Sequence, residues 1–188
     1  MKEGRLVAFP TDTVYGVAAL AFDPAGIDQL YVVKGRDPAK AIAILLGSPD
    51  DLFKVTAEMN PMARRLARRF WPGSLTLVVP GHPALPANLS PLPTIGVRMP
   101  DHPTALALLK LAGPLATTSA NLSGEPNANT AQEALSQLGG RIALILDGGR
   151  TPGGAPSTVV DCTGSDPVIL RNGPISRKDL QQALEEGV

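Results

Sequence analysis

The stretch DPAGIDQLYVVKGRDPAKAIAILL, residues 23–46, decides the fold class. Its first half has helical spacing: Ile27, Leu30 and Tyr31 share one face, Asp23 stands where it can cap the first turn, and Pro24 is tolerated there. Lys34 then falls at or near the helix end. The second half, AIAILL, is a short branched apolar run that reads as a strand. Helix, tight turn and strand in succession is the unit of an α/β or α+β domain.

The same alternation extends outward along the chain. RLVAFP, LTLVV, TIGVRM, LATTSA, RIALIL, STVVDC and VILR read as strands, many of them buried on both faces. NPMARRLARRF sets Met62, Leu66 and Phe70 on one stripe and Arg64, Arg65, Arg68 and Arg69 away from it, an amphipathic helix with a basic face. TAQEALSQLGG opens with Thr130 and Glu133 in capping-box spacing and ends on Gly139, and SRKDLQQALEEG repeats that design weakly with Ser176 and Asp179. The 19 glycines and 19 prolines are scattered, with no linker or repeat, so the expectation is one domain over residues 1–188.

Composition narrows the function classes. With 44% apolar and 18% charged residues in 188, the chain can bury a sizeable core. Its 17 basic and 17 acidic residues cancel, so a polyanion must be met by a local cluster rather than by net charge. The lone Cys162 excludes an internal disulfide, and with only His82 and His102 no Cys/His zinc site can form, so a metal would need oxygen ligands. MKEGRLVAFP lacks a signal-peptide core and no long apolar run occurs, which predicts a cytoplasmic protein with no membrane partner.

No G-x-x-x-x-G-K-[ST], H-E-x-x-H, G-x-S-x-G or strand-to-helix G-x-G-x-x-G is present. What remains is polar groups at strand ends. FPTDTVYG presents Thr11, Asp12, Thr13 and Tyr15 at a loop tip, and ATTSANLSG presents Ser119, Asn121 and Ser123, although such residues also serve plain turns. Lys34, Arg36 and Lys40 cluster on ordered backbone in a way that suits a polyphosphate, where a solvated surface is the bland reading. Arg98 lies in a strand-like apolar run and needs an anion, with Asp147, Asp161 or a ligand carboxylate as candidates. The glycine-rich stretch DGGRTPGGAPSTVVD can approach a ligand closely or simply connect, and VILRNGPIS sets Arg171 at a strand end.

Taken in order, FPTDTVYG, KGRDPAKA, WPGSLTLV, GVRMPDHP, TTSANLSGEP, STVVDCTG and VILRNGPIS resemble the YrdC/TsaC family of threonylcarbamoyl-AMP synthases over nearly the whole chain. The resemblance implies an α/β fold (YrdC-like, RibB-like) in which a twisted, mostly parallel or mixed sheet is flanked by helices and encloses a positively charged cavity. It implies a nucleotidyltransferase that makes threonylcarbamoyl-adenylate and pyrophosphate from L-threonine, bicarbonate and ATP, with Mg2+, for tRNA modification. By the same resemblance Thr11, Thr13, Arg98, Ser119 and Ser157 hold threonine, and Arg36, Lys40, Thr94, Asn121, Asn129 and Arg171 hold ATP. Lys34 and Arg36 are then the catalytic cations beside the phosphates. Implied partners are the TsaD-containing transferase machinery and tRNA. Three departures accompany the match: Leu45 stands near where many members carry histidine, an upstream helix is expected before LVAFP, and the short C-terminus suits the single-domain form.

Two rivals keep the fold and change the task. One is a YciO-type paralogue or a nucleotide- or RNA-binding module with little synthase activity, in which the arginine face of residues 64–69 would touch the phosphates of tRNA or double-stranded RNA. A maturation domain of a larger carbamoyl-transfer protein fits less well, because zinc-finger cysteines are absent and the threonine and ATP candidates are complete.

Overall fold

Nine strands hydrogen-bond into one mixed sheet in the computed structural model, which describes residues 4–185. They are β1 Val7–Phe9, β2 Gly16–Leu20, β3 Ala43–Leu45, β4 Leu75–Pro80, β5 Thr94–Arg98, β6 Leu115–Ser119, β7 Leu144–Ile145, β8 Thr158–Asp161 and β9 Val168–Arg171. Six α-helices accompany them: α1 Pro24–Lys34, α2 Leu52–Val55, α3 Pro61–Phe70, α4 Pro103–Ala112, α5 Ala131–Leu138 and α6 Arg177–Glu185. The strand order is β7-β1-β2-β6-β3-β5-β4-β8-β9. Parallel pairing occurs at β1–β7, β3–β5 and β4–β8, and the other neighbours run antiparallel, so of the two expected sheet types the mixed one is found.

Side-chain alternation explains why so many strands read as buried on both faces. One face carries Ile44, Leu75, Leu77, Ile95, Val97, Ala116 and Val160, packed with Ile27 and Leu30 of α1 and Leu66 of α3. Each large apolar side chain buried there stabilises the fold by roughly 1.5–3 kcal/mol. Across the middle of the sheet the opposite face carries Ala43, Thr76, Gly96, Arg98, Thr117 and Ser119, which line a cavity. Low exposure in the middle of that face reflects enclosure around the cavity, whereas towards β1 the same face carries Val7, Phe9, Ala18, Leu45 and Leu115 packed on Ala105 and Leu109 of α4, so strands buried on both faces occur there as expected.

Helix ends follow the local chemistry with one correction. Pro24 opens α1, but the Asp23 side chain makes no capping hydrogen bond. The helix stops because Gly35 adopts φ 58°, the left-handed conformation that other residues avoid. Asn60 caps α3 by accepting from the Ala63 N–H at 2.8 Å. Ser176 and Asp179 form a full reciprocal capping box on α6, at 2.8 and 3.2 Å, stronger than the spacing alone suggested. RIALIL contributes only the two-residue β7. No described helix is long and apolar enough to cross a membrane.

Candidate active site

A cavity of about 370 Å³ opens on the polar side of the sheet, within the size range of small-molecule sites. Strand residues of β2, β3, β4, β5, β6, β8 and β9 form its wall together with the loops around Thr13, Arg36 and Ser157. The charged side chains of that wall are Arg36, Arg98 and Arg171, and among the described residues no aspartate or glutamate lines it. Loss of water pulls all three guanidinium pKa values below their ordinary range, and for Arg171 the positive charges of Arg98 and Arg36 lower it further. Since arginine stays protonated, the arrangement is relieved by a bound anion.

Arg98 is the most buried of the three, at 5% exposure. Its Nε donates to the Gly73 carbonyl at 2.9 Å, Nη1 donates to Thr13 Oγ1 at 3.0 Å, and Nη2 pairs with Asp12. The intramolecular partner is therefore Asp12 rather than Asp147 or Asp161, which accept from Gly149 N and Thr163 N beside them. Three of five N–H donors are engaged, leaving two for a ligand. Thr11 Oγ1 donates to the Val14 carbonyl at 2.7 Å and lies 2.9 Å from Thr13 Oγ1, so the Thr13 proton must point to Thr11. Thr13 Oγ1 is thus held as an acceptor, with one lone pair on Arg98 and one unspent.

A second cluster stands across the sheet. Arg171 donates Nε and Nη2 to the Ser157 carbonyl at 3.0 and 2.8 Å, and Nη2 also reaches Ser157 Oγ at 3.0 Å. Ser157 Oγ lies 2.8 Å from Thr76 Oγ1. The asparagine-glycine turn after Arg171 is pressed onto this cluster: a Cβ at Gly173 would fall 2.4 Å from Thr158 N.

The three cations of the 34–41 loop separate. Arg36 lines the cavity and is braced by the Lys40 and Ala41 carbonyls at 3.3 and 2.8 Å. Lys40 is exposed outside the wall. Lys34 is 3% exposed and its ammonium donates to the carbonyls of Ser119 and Asn121, while its own carbonyl accepts from Ser123 N at 2.8 Å. Burial first, then the Arg36 charge, lowers its pKa from 10.5 to about 8. Lys34 therefore ties α1 to the loop after β6 and does not line the cavity.

Of the other expected residues, Thr11, Thr13, Ser119 and Ser157 line the cavity. Thr94, Asn121 and Asn129 do not: Thr94 begins β5 beyond Gly96, Asn121 donates to the Leu122 and Glu125 carbonyls, and Asn129 accepts from Thr151 N at 2.9 Å. Asn121 Oδ1 is buried without a partner. The wall also holds Thr76, Thr117, Thr118 and Asn127, which sequence reasoning did not single out. A hydroxyl recurring on one parity of several strands was the available signal. The glycine-rich stretch is a tied-down loop whose residues 148–154 do not line the cavity, since Tyr15 Oη donates to the Gly149 carbonyl at 2.8 Å and Gly154 N donates to the Thr13 carbonyl at 2.9 Å. On the basic face of α3, Arg64 Nε donates to the Met59 carbonyl at 2.8 Å and Arg65 to that of Leu184. No cluster of metal-ligating side chains occurs among the described residues.

Comparison with known proteins identifies a family. The Sua5/YciO/YrdC family model, described as "Telomere recombination", matches residues 1–173. A Mycobacterium tuberculosis relative is 43% identical over 185 residues, covering 98% of this chain and 85% of that protein. The threonylcarbamoyl-AMP synthase of Bacillus subtilis is 41% identical over 187 residues, 98% of this chain but 54% of its own length. The crystal structure of P. abyssi Sua5 complexed with L-threonine superposes with a TM-score of 0.94 at 40% identity, covering 98% of this chain and 55% of that one. The chain thus spans about half the length of the latter two.

Proposed function

Because the chain belongs to the Sua5/YciO/YrdC family, we propose that it joins L-threonine, bicarbonate and ATP into threonylcarbamoyl-AMP and pyrophosphate. The observation that carries this reading is a wall of three arginines without a carboxylate, in which Arg98 keeps two N–H donors beside the acceptor oxygen of Thr13. An amino acid fits that pair: its carboxylate meets the Arg98 fork and its amino group meets Thr13 Oγ1. Thr11 holds Thr13, while Ser119 and Ser157 stand where a substrate hydroxyl can be bound. Arg36 and Arg171 take the triphosphate and Lys34 fixes the backbone of Ser119, while Lys40, Thr94, Asn121 and Asn129, which lie off the cavity wall, are assigned to the nucleotide beyond its rim.

The chemistry needs no enzyme nucleophile. The amine nitrogen bonds to the carbonate carbon, whose hydroxyl leaves as water with one amine proton, giving a carbamate. A carbamate oxygen then attacks the α-phosphorus and the bond to pyrophosphate breaks. Cys162 offers no thiolate, because burial pushes its pKa up to about 12. Holding the reactants aligned is worth about 7–11 kcal/mol in favourable cases, and the arginines stabilise charge on the leaving pyrophosphate. The wall offers hydroxyls and no carboxylate, so Mg2+ enters as part of the substrate, on the phosphate oxygens of ATP. The product is a reactive mixed anhydride, which suits direct consumption by TsaD-containing machinery acting on tRNA.

The test is pyrophosphate release with ATP, Mg2+ and bicarbonate, with and without L-threonine, using L-serine as comparator. Threonine-dependent release is expected. Release that ignores threonine, or none from folded protein that binds ATP, refutes the synthase reading.

A further inference from the structure

We propose that His102 is a positioning residue for the amino-acid site: as a neutral imidazole it seals the loop that keeps Asp12 on Arg98, and on protonation it draws Asp12 away and weakens amino-acid binding. The inference rests on the function proposed above and concerns a residue that does not line the cavity.

Placement comes first. Residues 99–102 connect β5 to α4 directly after Arg98, and they support two of the three partners of that guanidinium. The Met99 carbonyl accepts from Gly73 N at 2.8 Å, and the Gly73 carbonyl accepts from Arg98 Nε. Asp101 N donates to Asp12 Oδ1 at 3.0 Å, the same oxygen that pairs with Arg98. His102 follows, and its carbonyl accepts from Leu106 N at 2.9 Å. It holds the N-cap position of α4, yet its side chain makes no capping bond.

The imidazole packs on a neighbouring segment instead. A Cβ at Gly148 would fall 2.6 Å from Pro10 Cγ, 3.2 Å from Thr104 Oγ1 and 3.4 Å from His102 Cε1. The ring, the first turn of α4 and the proline two residues before Asp12 thus close around one glycine, whose N–H donates to Tyr15 Oη at 3.3 Å. Through this contact the β5–α4 connection is fixed to the loop that carries Asp12 and Thr13.

Proton counting then shows what the ring can do. His102 Nδ1 is buried and has no hydrogen-bond partner. A neutral ring protonated on Nε2 leaves a lone pair there, whereas an imidazolium carries a proton on both nitrogens and must find an acceptor. Burial lowers the His102 pKa by more than the charges of Asp12 and Asp101 raise it, so the ring is neutral at neutral pH. The ionisable groups around it are Asp12 and Tyr15 from the β1–β2 loop, Asp101 beside it, Arg98 behind Asp12, and Asp147 next to Gly148; the first turn of α4 brings none. Asp147 accepts from Gly149 N at 2.9 Å, and Asp101 is exposed. Asp12 spends Oδ1 on both Arg98 and Asp101 N, while its Oδ2 takes no hydrogen bond among the described residues. Oδ2 is the acceptor open to an imidazolium. Turning the carboxylate to meet it pulls Oδ1 off Arg98 Nη2, and the guanidinium loses the anion that fixes it.

The test follows the Arg98 Nε–H and His102 ring signals by NMR, without ligand, from about pH 8 to 5 in wild type, His102→Gln and His82→Gln. Threonine affinity is then measured calorimetrically over the same range. In wild type and in His82→Gln the Arg98 signal should move with the midpoint of the His102 ring. In His102→Gln, which fills the space and cannot be protonated, it should stay still. Wild-type threonine affinity should fall about tenfold between about pH 7.5 and 5.5, and that of His102→Gln should hold one value. By reciprocity, bound threonine should lower the midpoint of the His102 ring. A role limited to packing would alter the affinity of His102→Gln at every pH and leave the slope in place. His102→Asn reads the same quantities if glutamine prevents folding. An Arg98 signal that ignores the His102 midpoint, or a pH slope that survives in His102→Gln, overturns the assignment. Coupled Arg98 and His102 signals in a protein that binds no threonine at any pH keep the control of Arg98 by His102 and refute the synthase.

Discussion

Replacing Arg98 by lysine keeps the charge and removes the geometry, which makes it a sharp test of the amino-acid site. Arg98 spends one N–H each on the Gly73 carbonyl, Thr13 Oγ1 and Asp12, and retains two, one on each Nη, for a carboxylate. A lysine ammonium has three N–H groups. If it keeps Asp12 and Thr13, a single donor is left for the ligand and the Gly73 carbonyl is abandoned. Losing one charge-assisted hydrogen bond of about 1.5–3 kcal/mol weakens threonine binding roughly tenfold to a hundredfold. The abandoned carbonyl costs the fold about 1 kcal/mol. Arg98→Met is harsher on stability, because it strands Asp12, and loss of a buried pair costs about 3–5 kcal/mol. Asp12 keeps the Asp101 N–H at 3.0 Å, which favours the lower end. Calorimetric titration with threonine and denaturant unfolding measure both. Threonine affinity for Arg98→Lys within about threefold of wild type, or Arg98→Met as stable as wild type, would refute the reasoning.

Three further outcomes follow from the same structure. Lys34 has a folded-state pKa near 8 against 10.5 when free, so the unfolded chain binds more protons in that window and stability rises with pH. Relative to Lys34→Met, wild-type unfolding free energy should climb by up to about 3 kcal/mol between about pH 8 and 10.5 and lose that gain as pH falls through 8, whereas a flat difference across denaturation curves rejects the burial argument. At Gly153 a Cβ would sit 2.5 Å from the Asp12 carbonyl and 3.0 Å from Thr13 Cα. Gly153→Ala should therefore destabilise by about 1–3 kcal/mol and weaken threonine binding, and an unchanged melting temperature counts against that contact. Arg36→Ala should sharply reduce pyrophosphate release with little change in melting temperature, because its carbonyl contacts lie in an exposed loop; near wild-type turnover removes Arg36 from the site.

How much of the site could be read in advance varied with the kind of signal. Arg98 stood out because a guanidinium in an apolar run must be paired, and the structure does pair it. Its partner, Asp12, lies 86 positions away and is brought near by the loop between β1 and β2, so spacing could not single it out. Lys34 and Arg36 looked alike two residues apart. The left-handed turn at Gly35 sends one ammonium to the carbonyls of the β6 loop and the other cation to the cavity wall. Thr76 gave no sign at all, because threonine suits any strand through its branched Cβ.

The sequence by itself determined what depends on neighbours a few residues apart. The amphipathic stripe of α3, the caps at Asn60 and Ser176, the strand runs and the lack of any nucleophile motif are set by local periodicity and by residue types. Tertiary structure alone decided which strand faces meet helices and which meet the cavity, and hence that three arginines from three separate segments share one enclosed space with no carboxylate on its wall. The physical reason is that strand order and register place residues far apart in sequence about 5 Å from one another across a sheet, and electrostatics responds to that distance rather than to position along the chain.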